Sequence, residues 1–129
     1  IARRQRQMCI RDSTHMEPAV VTLNVGGVCF PTRRTTLEQS SSFFSGLVHA
    51  HPTCTEVFVD RDPTHFRYVL NWLRGAHHLP DDERVLREVL WECDYYCLAD
   101  MAAAITKCKE RYSLLRTLDA LVEETRQRA

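Results

Sequence analysis

The chain has 129 residues, and its 17 Lys and Arg are balanced by 17 Asp and Glu, which gives a formal net charge of zero. This length fits one compact domain rather than two, and the absence of a basic surplus disfavours nucleic acid as a partner. No apolar run approaches the length of a membrane span and no secretory signal pattern is present, so we expect a cytoplasmic protein whose six cysteines are reduced.

Residues 1–15 form the first distinct segment. They are rich in Arg and Gln and show no clear hydrophobic period, so we expect a disordered tail or a remnant of cloning. The basic run Arg3-Arg4-Gln5-Arg6 leaves a nuclear or nucleic-acid signal as a less favoured alternative. Beyond the tail, we expect a folded domain over residues 16–100 and an amphipathic C-terminal helix over residues 101–129.

Two β-rich runs in residues 20–30 are joined by Gly26-Gly27. Glycine tolerates the positive φ of a two-residue turn, so this pattern predicts a β-hairpin. A short helix is predicted over residues 35–39, and a serine at positions 40–42 can cap the next helix. The apolar residues of that next helix are Phe43, Phe44, Leu47 and Val48. Residues 50–55 are predicted to form a loop.

Residues 56–75 predict a short strand, a charged turn and a helix. Asp62 can accept hydrogen bonds from the free N–H groups of that helix, and Pro63 then occupies its first position, where a missing donor costs little. Gly75 ends the pattern as a C-cap. The helix is apolar over most of its circumference, which is typical of burial in a core or an interface. Its apolar residues are Phe66, Tyr68, Val69, Leu70, Trp72 and Leu73.

Two further helices complete the predicted elements. Residues 80–83 open the first of them, with acidic side chains at its positive end. Near its end lie Tyr95 and Tyr96, of which one should pack and one should lie near solvent. The last helix begins within residues 98–101 and runs into the 120s. Its apolar stripe is formed by Met101, Ala104, Ile105, Cys108, Tyr112, Leu115 and Val122 and is widened by Leu114, Leu118 and Leu121. Its later turns fit a helix docked on the domain, an oligomer coil or the start of a partner-binding region.

No set of residues indicates catalysis or cofactor binding. The histidines have no nucleophile in a strained turn nearby, and Gly26-Gly27 lacks the lysine and helix of a phosphate loop. Cys93 and Cys97, with His77 and His78 upstream, suggest a zinc site only weakly, since structural zinc prefers tighter cysteine pairs. We therefore expect no enzyme, no cofactor and no metal. Three cysteines are expected to pack as small hydrophobic side chains: Cys29, Cys97 and Cys108.

Several motifs in one order resemble a BTB/POZ domain. They are the hairpin, Phe30-Pro31-Thr32, Thr36-Leu37, Ser42-Phe43-Phe44 and the run from Phe58 to Pro63. More narrowly, the chain resembles the potassium-channel tetramerisation type used in the KCTD family, through residues 60–75, Leu79-Pro80 and Asp94-Tyr95-Tyr96. The resemblance implies an α/β BTB/POZ fold: a small mixed sheet with a β-hairpin, flanked by a helical cluster.

The resemblance also implies a function in protein interaction. Domains of this kind assemble into rings through largely polar faces, a homopentamer being favoured here and a homotetramer second. A KCTD-like protein would link a substrate to a cullin scaffold of a ubiquitin ligase. The alternative is the cytoplasmic tetramerisation domain of a voltage-gated potassium channel, or a BTB assembly module that binds no cullin. The channel domains' intersubunit zinc site includes adjacent cysteines, which this chain lacks.

The resemblance places two kinds of site residue on this sequence. The predicted oligomer-interface residues are Asn24, Arg33, Arg34, Arg61, Asp62, Asn71 and Arg74. Arginine is enriched at interfaces, and the charged turn at residues 60–62 lies where neighbouring subunits would exchange contacts. The predicted partner-binding residue is Tyr95, which supplies a large rigid ring with a polar tip. Together with the loop at residues 50–55, it would form part of a cullin-facing surface.

Overall fold

The computed structural model of the chain describes residues 17–129, so the predicted tail and its basic run lie outside the described residues. Three strands and five helices are present in that part of the chain. In chain order they are β1 (Val20–Val25), β2 (Val28–Arg33), α1 (Arg34–Glu38), α2 (Ser42–Ala50), β3 (Glu56–Val59), α3 (Phe66–Leu73), α4 (Glu83–Tyr95) and α5 (Ala99–Arg128).

The three strands form one mixed sheet in the order β2-β1-β3. β1 and β2 pair antiparallel, with Val25 opposite Val28 across the turn. Gly26 and Gly27 have φ of 56° and 102°, values that glycine adopts without steric cost. β3 pairs parallel to the other edge of β1. The prediction of a small mixed sheet with a β-hairpin and a helical cluster is confirmed.

The core lies between one face of the sheet and the helices. On the sheet side it contains Val21, Leu23, Val25, Val57 and Val59, none of them more than 5% exposed. The helices contribute fully or almost fully buried side chains: Leu37, Phe44, Val48, Phe66, Val69, Leu86, Val89, Tyr96, Met101 and Ile105. Burying one such aliphatic or aromatic side chain contributes about 1.5–3 kcal/mol. α2, α3 and the end of α4 meet in an aromatic cluster, in which Phe44 stacks on Tyr96 at 4.9 Å.

The start of α3 differs from the sequence prediction. Asp62 Oδ1 accepts from the Thr64 backbone N–H at 2.9 Å and from Thr64 Oγ1 at 2.5 Å. The aspartate therefore closes a local turn, and the helix begins only at Phe66. The helix end follows the prediction, because Gly75 has φ of 91° and the Ala76 N–H donates to the Asn71 carbonyl at 2.9 Å.

Two of the three cysteines expected to be packed are exposed. Cys29 lies opposite Asn24 in the β1–β2 ladder, which puts it on the outer face of the sheet. Cys97 is exposed and has φ of 58°, so it occupies the left-handed position that ends α4, where glycine is usual. Cys108 is half-buried against the core, as expected.

α5 is a single helix of 30 residues that leaves the domain halfway along its length. Met101 and Ile105 are fully buried, and Tyr112 Oη donates to the Asp81 carbonyl at 3.1 Å. Arg116 forms an ion pair with Glu83 at the start of α4, and every later residue of the helix is exposed. No helix in residues 17–129 combines the length and the hydropathy needed to cross a bilayer.

Candidate protein-interaction surface

A bidentate ion pair joins the charged turn after β3 to helix α4. Arg61 Nε donates to Glu92 Oε1 at 3.1 Å, and Arg61 Nη2 donates to Glu92 Oε2 at 2.5 Å. The Glu92 side chain is 11% exposed and that of Arg61 is 31% exposed, so the pair lies at the rim of the core. The hydrogen bond to Glu92 raises the pKa of Arg61 above its ordinary value, with partial burial opposing it. Such planar pairing fixes the direction of both side chains.

Tyr95 lies beside this ion pair at the end of α4. Arg61 Cζ is 4.3 Å from the centroid of the Tyr95 ring, a cation–π contact. Phe43 and Tyr96 support the ring at centroid distances of 5.2 Å and 5.1 Å. Tyr95 is 39% exposed and Tyr96 is fully buried, which confirms that one tyrosine packs and the other lies near solvent. The residue predicted to bind a partner is thus in contact with one predicted to lie at the oligomer interface.

A cleft of about 520 Å³ opens between the charged turn and α4. His65 Nε2 and Glu88 Oε2 lie 2.7 Å apart in it, and Asp60 and Asp62 supply two further carboxylates. With Glu92, the cleft carries more acidic than basic side chains, and we call it the acidic cleft. Charged side chains line most of it, which suits recognition of a second polypeptide.

Trp91 also lines this cleft, and the sequence analysis missed it. Its side chain is 64% exposed, because it projects from the side of α4 facing away from Leu86 and Val89, which are in the core. A tryptophan at an outward position of an amphipathic helix is the signal that would have identified it. Exposed tryptophan next to polar groups is a frequent anchor of protein interfaces.

Asp62 is exposed at the rim of the same cleft. Its hydrogen bonds from the Thr64 hydroxyl and backbone N–H lower the pKa of the carboxyl below its ordinary value. The group is therefore a fixed negative charge, oriented by the turn and open to solvent. The predicted interface residues Arg61 and Asp62 thus lie together, on the same side as Tyr95.

A second group of predicted interface residues lies along β2 and the end of α3. Arg33 and Arg74 line one shallow depression, and Asn71 and Arg74 line the adjoining one with Arg67. Arg74 Nη2 donates to the Pro31 carbonyl at 2.6 Å, which holds its guanidinium against the strand. We call this group the basic edge; its charged members are Arg33, Arg67 and Arg74. Neither depression is shared with the cleft beside α4.

The remaining two predicted interface residues make internal contacts. The Gly27 N–H donates to Asn24 Oδ1 at 2.9 Å, and Asn24 Nδ2 donates to Glu56 at 3.4 Å, so Asn24 supports the hairpin on the outer sheet face. Arg34 is only 4% exposed. Its Nη2 donates to the Val48 carbonyl at 2.5 Å, and its Nε donates to the carboxylates of Glu17 and Glu38. Its interface role stays a prediction, but little of its side chain is accessible to a neighbour.

The residues of the weak zinc hypothesis do not form a ligand set. Cys93 is buried, and burial raises the pKa of its thiol to about 12, whereas zinc binds the thiolate. Cys97 and both His77 and His78 are exposed, and the His77 ring stacks on Trp72 at 3.9 Å. Within residues 17–129, no three His, Cys, Asp or Glu side chains are grouped closely enough to hold a metal ion.

Comparison with known proteins identifies relatives of this chain. Residues 21–108 match a family model described as the BTB/POZ domain. The chain is 37% identical over 95 residues to the FH protein interacting protein FIP2 of Arabidopsis thaliana, and 33% identical over 92 residues to the BTB/POZ domain-containing protein KCTD21 of Mus musculus. These alignments cover 67% and 66% of this chain but 32% and 35% of the relatives, so the chain spans about a third of their length.

Among solved structures, the BTB domain of human gigaxonin is similar, with a TM-score of 0.61. The match covers 81% of this chain and 89% of that domain. Sequence identity is 14%, so this likeness concerns the fold alone.

Proposed function

Because the chain belongs to the BTB/POZ domain family, of the potassium-channel tetramerisation type and with KCTD21 as a relative, we propose that it is a self-assembling adaptor that links a substrate to a cullin-based ubiquitin ligase. BTB/POZ domains are protein-interaction modules, and we propose no enzymatic role. The observation that supports an interaction role is the cleft lined by exposed Trp91 and by Arg61, whose guanidinium contacts the Tyr95 ring. We place this function in the cytoplasm.

Charge supports a head-to-tail ring. A ring interface of this type joins two different surfaces of the same chain. The basic edge, with Arg33, Arg67 and Arg74, and the charged-turn side of the acidic cleft, with Asp60 and Asp62, are separate surfaces of opposite charge. In this arrangement the charged turn faces the neighbouring subunit, and the α4 side of the cleft, with Trp91, stays open to the cullin. Opposite potentials favour association and fix its register. We propose a homopentamer, with a homotetramer as the second possibility.

The cullin-binding part of the proposal concerns Tyr95 and Trp91. Both rings are exposed and held by a rigid helix, and Tyr95 is further braced by aromatic neighbours. A rigid aromatic ring loses little conformational entropy on binding. In a ring, the same weak site is repeated in every subunit, so several contacts to linked partners add avidity without a new interaction.

A pull-down with a purified cullin N-terminal region tests this proposal. The unsubstituted chain should retain the cullin, and Trp91→Ala should reduce retention about tenfold or more, as expected for loss of an aromatic anchor. Arg87→Ala is the matched control, because Arg87 is exposed on the same helix but does not line the cleft. No retention by the unsubstituted ring at high concentration would refute the adaptor role.

The alternative is an assembly module that binds no cullin, including the tetramerisation domain of a potassium channel. The Arabidopsis relative is named for its interaction with an FH protein and not with a cullin, which supports an assembly module that binds no cullin as the alternative. The two candidates differ outside this chain: a channel's complete reading frame would contain apolar membrane spans after residue 129. Translating that frame distinguishes them.

A further inference from the structure

The second half of α5 has an apolar face that the domain does not cover. Its side chains are 48–60% exposed. They are Leu114, Leu115, Leu118, Leu121 and Val122, which we call the leucine face. Together they expose on the order of 300 Å² of apolar surface on one helix, as much as the largest patch on many monomeric proteins.

Only part of this face continues the stripe that docks α5 on the domain. Leu115 and Val122 lie nearest to that stripe, and Leu114, Leu118 and Leu121 lie farther around the helix. With 3.6 residues per turn, the centre of the exposed leucine face lies about 100° around the helix from the docked residues. The docked residues are Met101, Ile105, Cys108 and Tyr112. If the domain extended further along the docked side of α5, most of the leucine face would therefore still be exposed to water. Contact with the domain thus does not account for this face.

We propose that the leucine face packs against the same face of neighbouring copies, forming a parallel helical bundle within the ring. Leu114, Leu118 and Leu121 are spaced by four and three residues, the pattern of the d, a and d positions of a coiled coil. Cyclic symmetry gives every copy of α5 the same direction along the ring axis, so the pairing is parallel. This inference rests on the self-assembly proposed above.

The residues beside this seam fit a second copy. Leu115 and Val122 occupy the e positions, and the g positions carry Thr117 and Glu124. In a parallel bundle the g residue of one helix faces the e residue of the next. Thr117 therefore faces Val122 of the next helix and Glu124 faces the position of Ala129, so neither g residue meets a like charge. Apolar e positions widen the face beyond a two-helix seam, which suits a bundle of more than two copies.

The buried area explains why the helices associate only within a ring. A stable interface between free proteins buries about 800 Å² per partner, well above what this face offers. A ring holds the helices at a high effective concentration, so a small additional contact is sufficient. The leucine face is thus a reinforcement of the assembly and not its origin.

Chemical cross-linking tests this arrangement on the full chain. In a background with Cys9, Cys29 and Cys97 replaced by Ser, the variants Leu118→Cys and Ala120→Cys are treated with a short bis-maleimide. Ala120 is exposed about 200° around the helix from Leu118 and serves as the matched control. We expect about tenfold more cross-linked chains with Leu118→Cys, because the seam brings its copies together. Equal cross-linking of both variants would overturn the proposal.

Dilution followed by native mass spectrometry gives an independent result. Leu118→Glu places a charge in the apolar seam, so its ring should dissociate at about tenfold higher protein concentration than that of Ala120→Glu. Rings of equal stability would overturn the bundle while leaving the proposed assembly intact. A monomeric unsubstituted chain would overturn both, so the two failures are distinguishable.

Discussion

Replacing Arg61 by Ala should destabilise the fold itself. The substitution leaves the Glu92 carboxylate, whose side chain is 11% exposed, without its bidentate partner. Removing one partner of a fully buried pair costs about 3–5 kcal/mol. Arg61 is 31% exposed, so water can solvate part of the carboxylate, and we expect a smaller loss of about 2 kcal/mol in the free energy of unfolding.

Urea unfolding followed by circular dichroism measures this loss. For a domain of this size, the expected loss lowers the urea midpoint by about 1 M. The double variant R61M/E92L removes both charges and should recover to within about 1 kcal/mol of the original stability. Arg87→Ala, at an exposed arginine outside both the cleft and the basic edge, should change stability by no more than about 0.5 kcal/mol. An unchanged midpoint for Arg61→Ala, or a double variant as unstable as the single one, would refute the reasoning.

This prediction changes how an assembly defect at Arg61 is interpreted. If Arg61→Ala dissociates the ring, part of the effect comes from the weakened connection between the charged turn and α4. Unfolding curves at several protein concentrations separate the two contributions, because only the assembly term depends on concentration.

Three further substitutions test local features of the fold. Gly26→Ala should destabilise the fold by about 2–4 kcal/mol, because a Cβ there would lie 2.4 Å from the Arg61 carbonyl oxygen. The control Gly27→Ala has open space around its Cβ and should cost about 1 kcal/mol, so equal losses in melting temperature for the two variants would contradict the predicted clash. Cys97→Gly should stabilise by about 1 kcal/mol in urea unfolding, because it removes a side chain from a left-handed position, and a lower midpoint would count against the strain. Tyr96→Phe should be neutral or stabilising by about 1 kcal/mol, because the buried Tyr96 hydroxyl has no hydrogen-bond partner among the described residues; a loss above about 1 kcal/mol in thermal unfolding would show that the hydroxyl is satisfied.

The hairpin and the core helices were predictable from the sequence because local signals and burial agree there. Gly26-Gly27 supplies the positive φ of the turn, and Val57 and Val59 alternate with the exposed Phe58. The start of α3 was not predicted, because Asp62 has two ways to use its side chain. It closes a turn with Thr64 instead of capping the helix. In the sequence, an aspartate just before a helical pattern looks the same in both cases.

The candidate site was predicted only in part. Arg61 and Tyr95 were identified through the family resemblance, but the ion pair to Glu92 joins residues 31 positions apart. Sequence spacing contains no information on such a contact. Trp91 was missed because an exposed aromatic side chain on a helix stands out only once the core face is known. The exposure of Cys29 follows from its pairing with Asn24, which only the strand register reveals.

Native mass spectrometry of the intact chain is the most direct test of the central claim that this BTB/POZ domain assembles itself into a ring. The account predicts a closed pentamer, with a tetramer directing attention to the channel-type alternative. It also predicts that the ring weakens as salt rises, because opposite charges on the basic edge and the acidic cleft are screened. A chain that stays monomeric or dimeric at micromolar concentration and low salt would contradict the account.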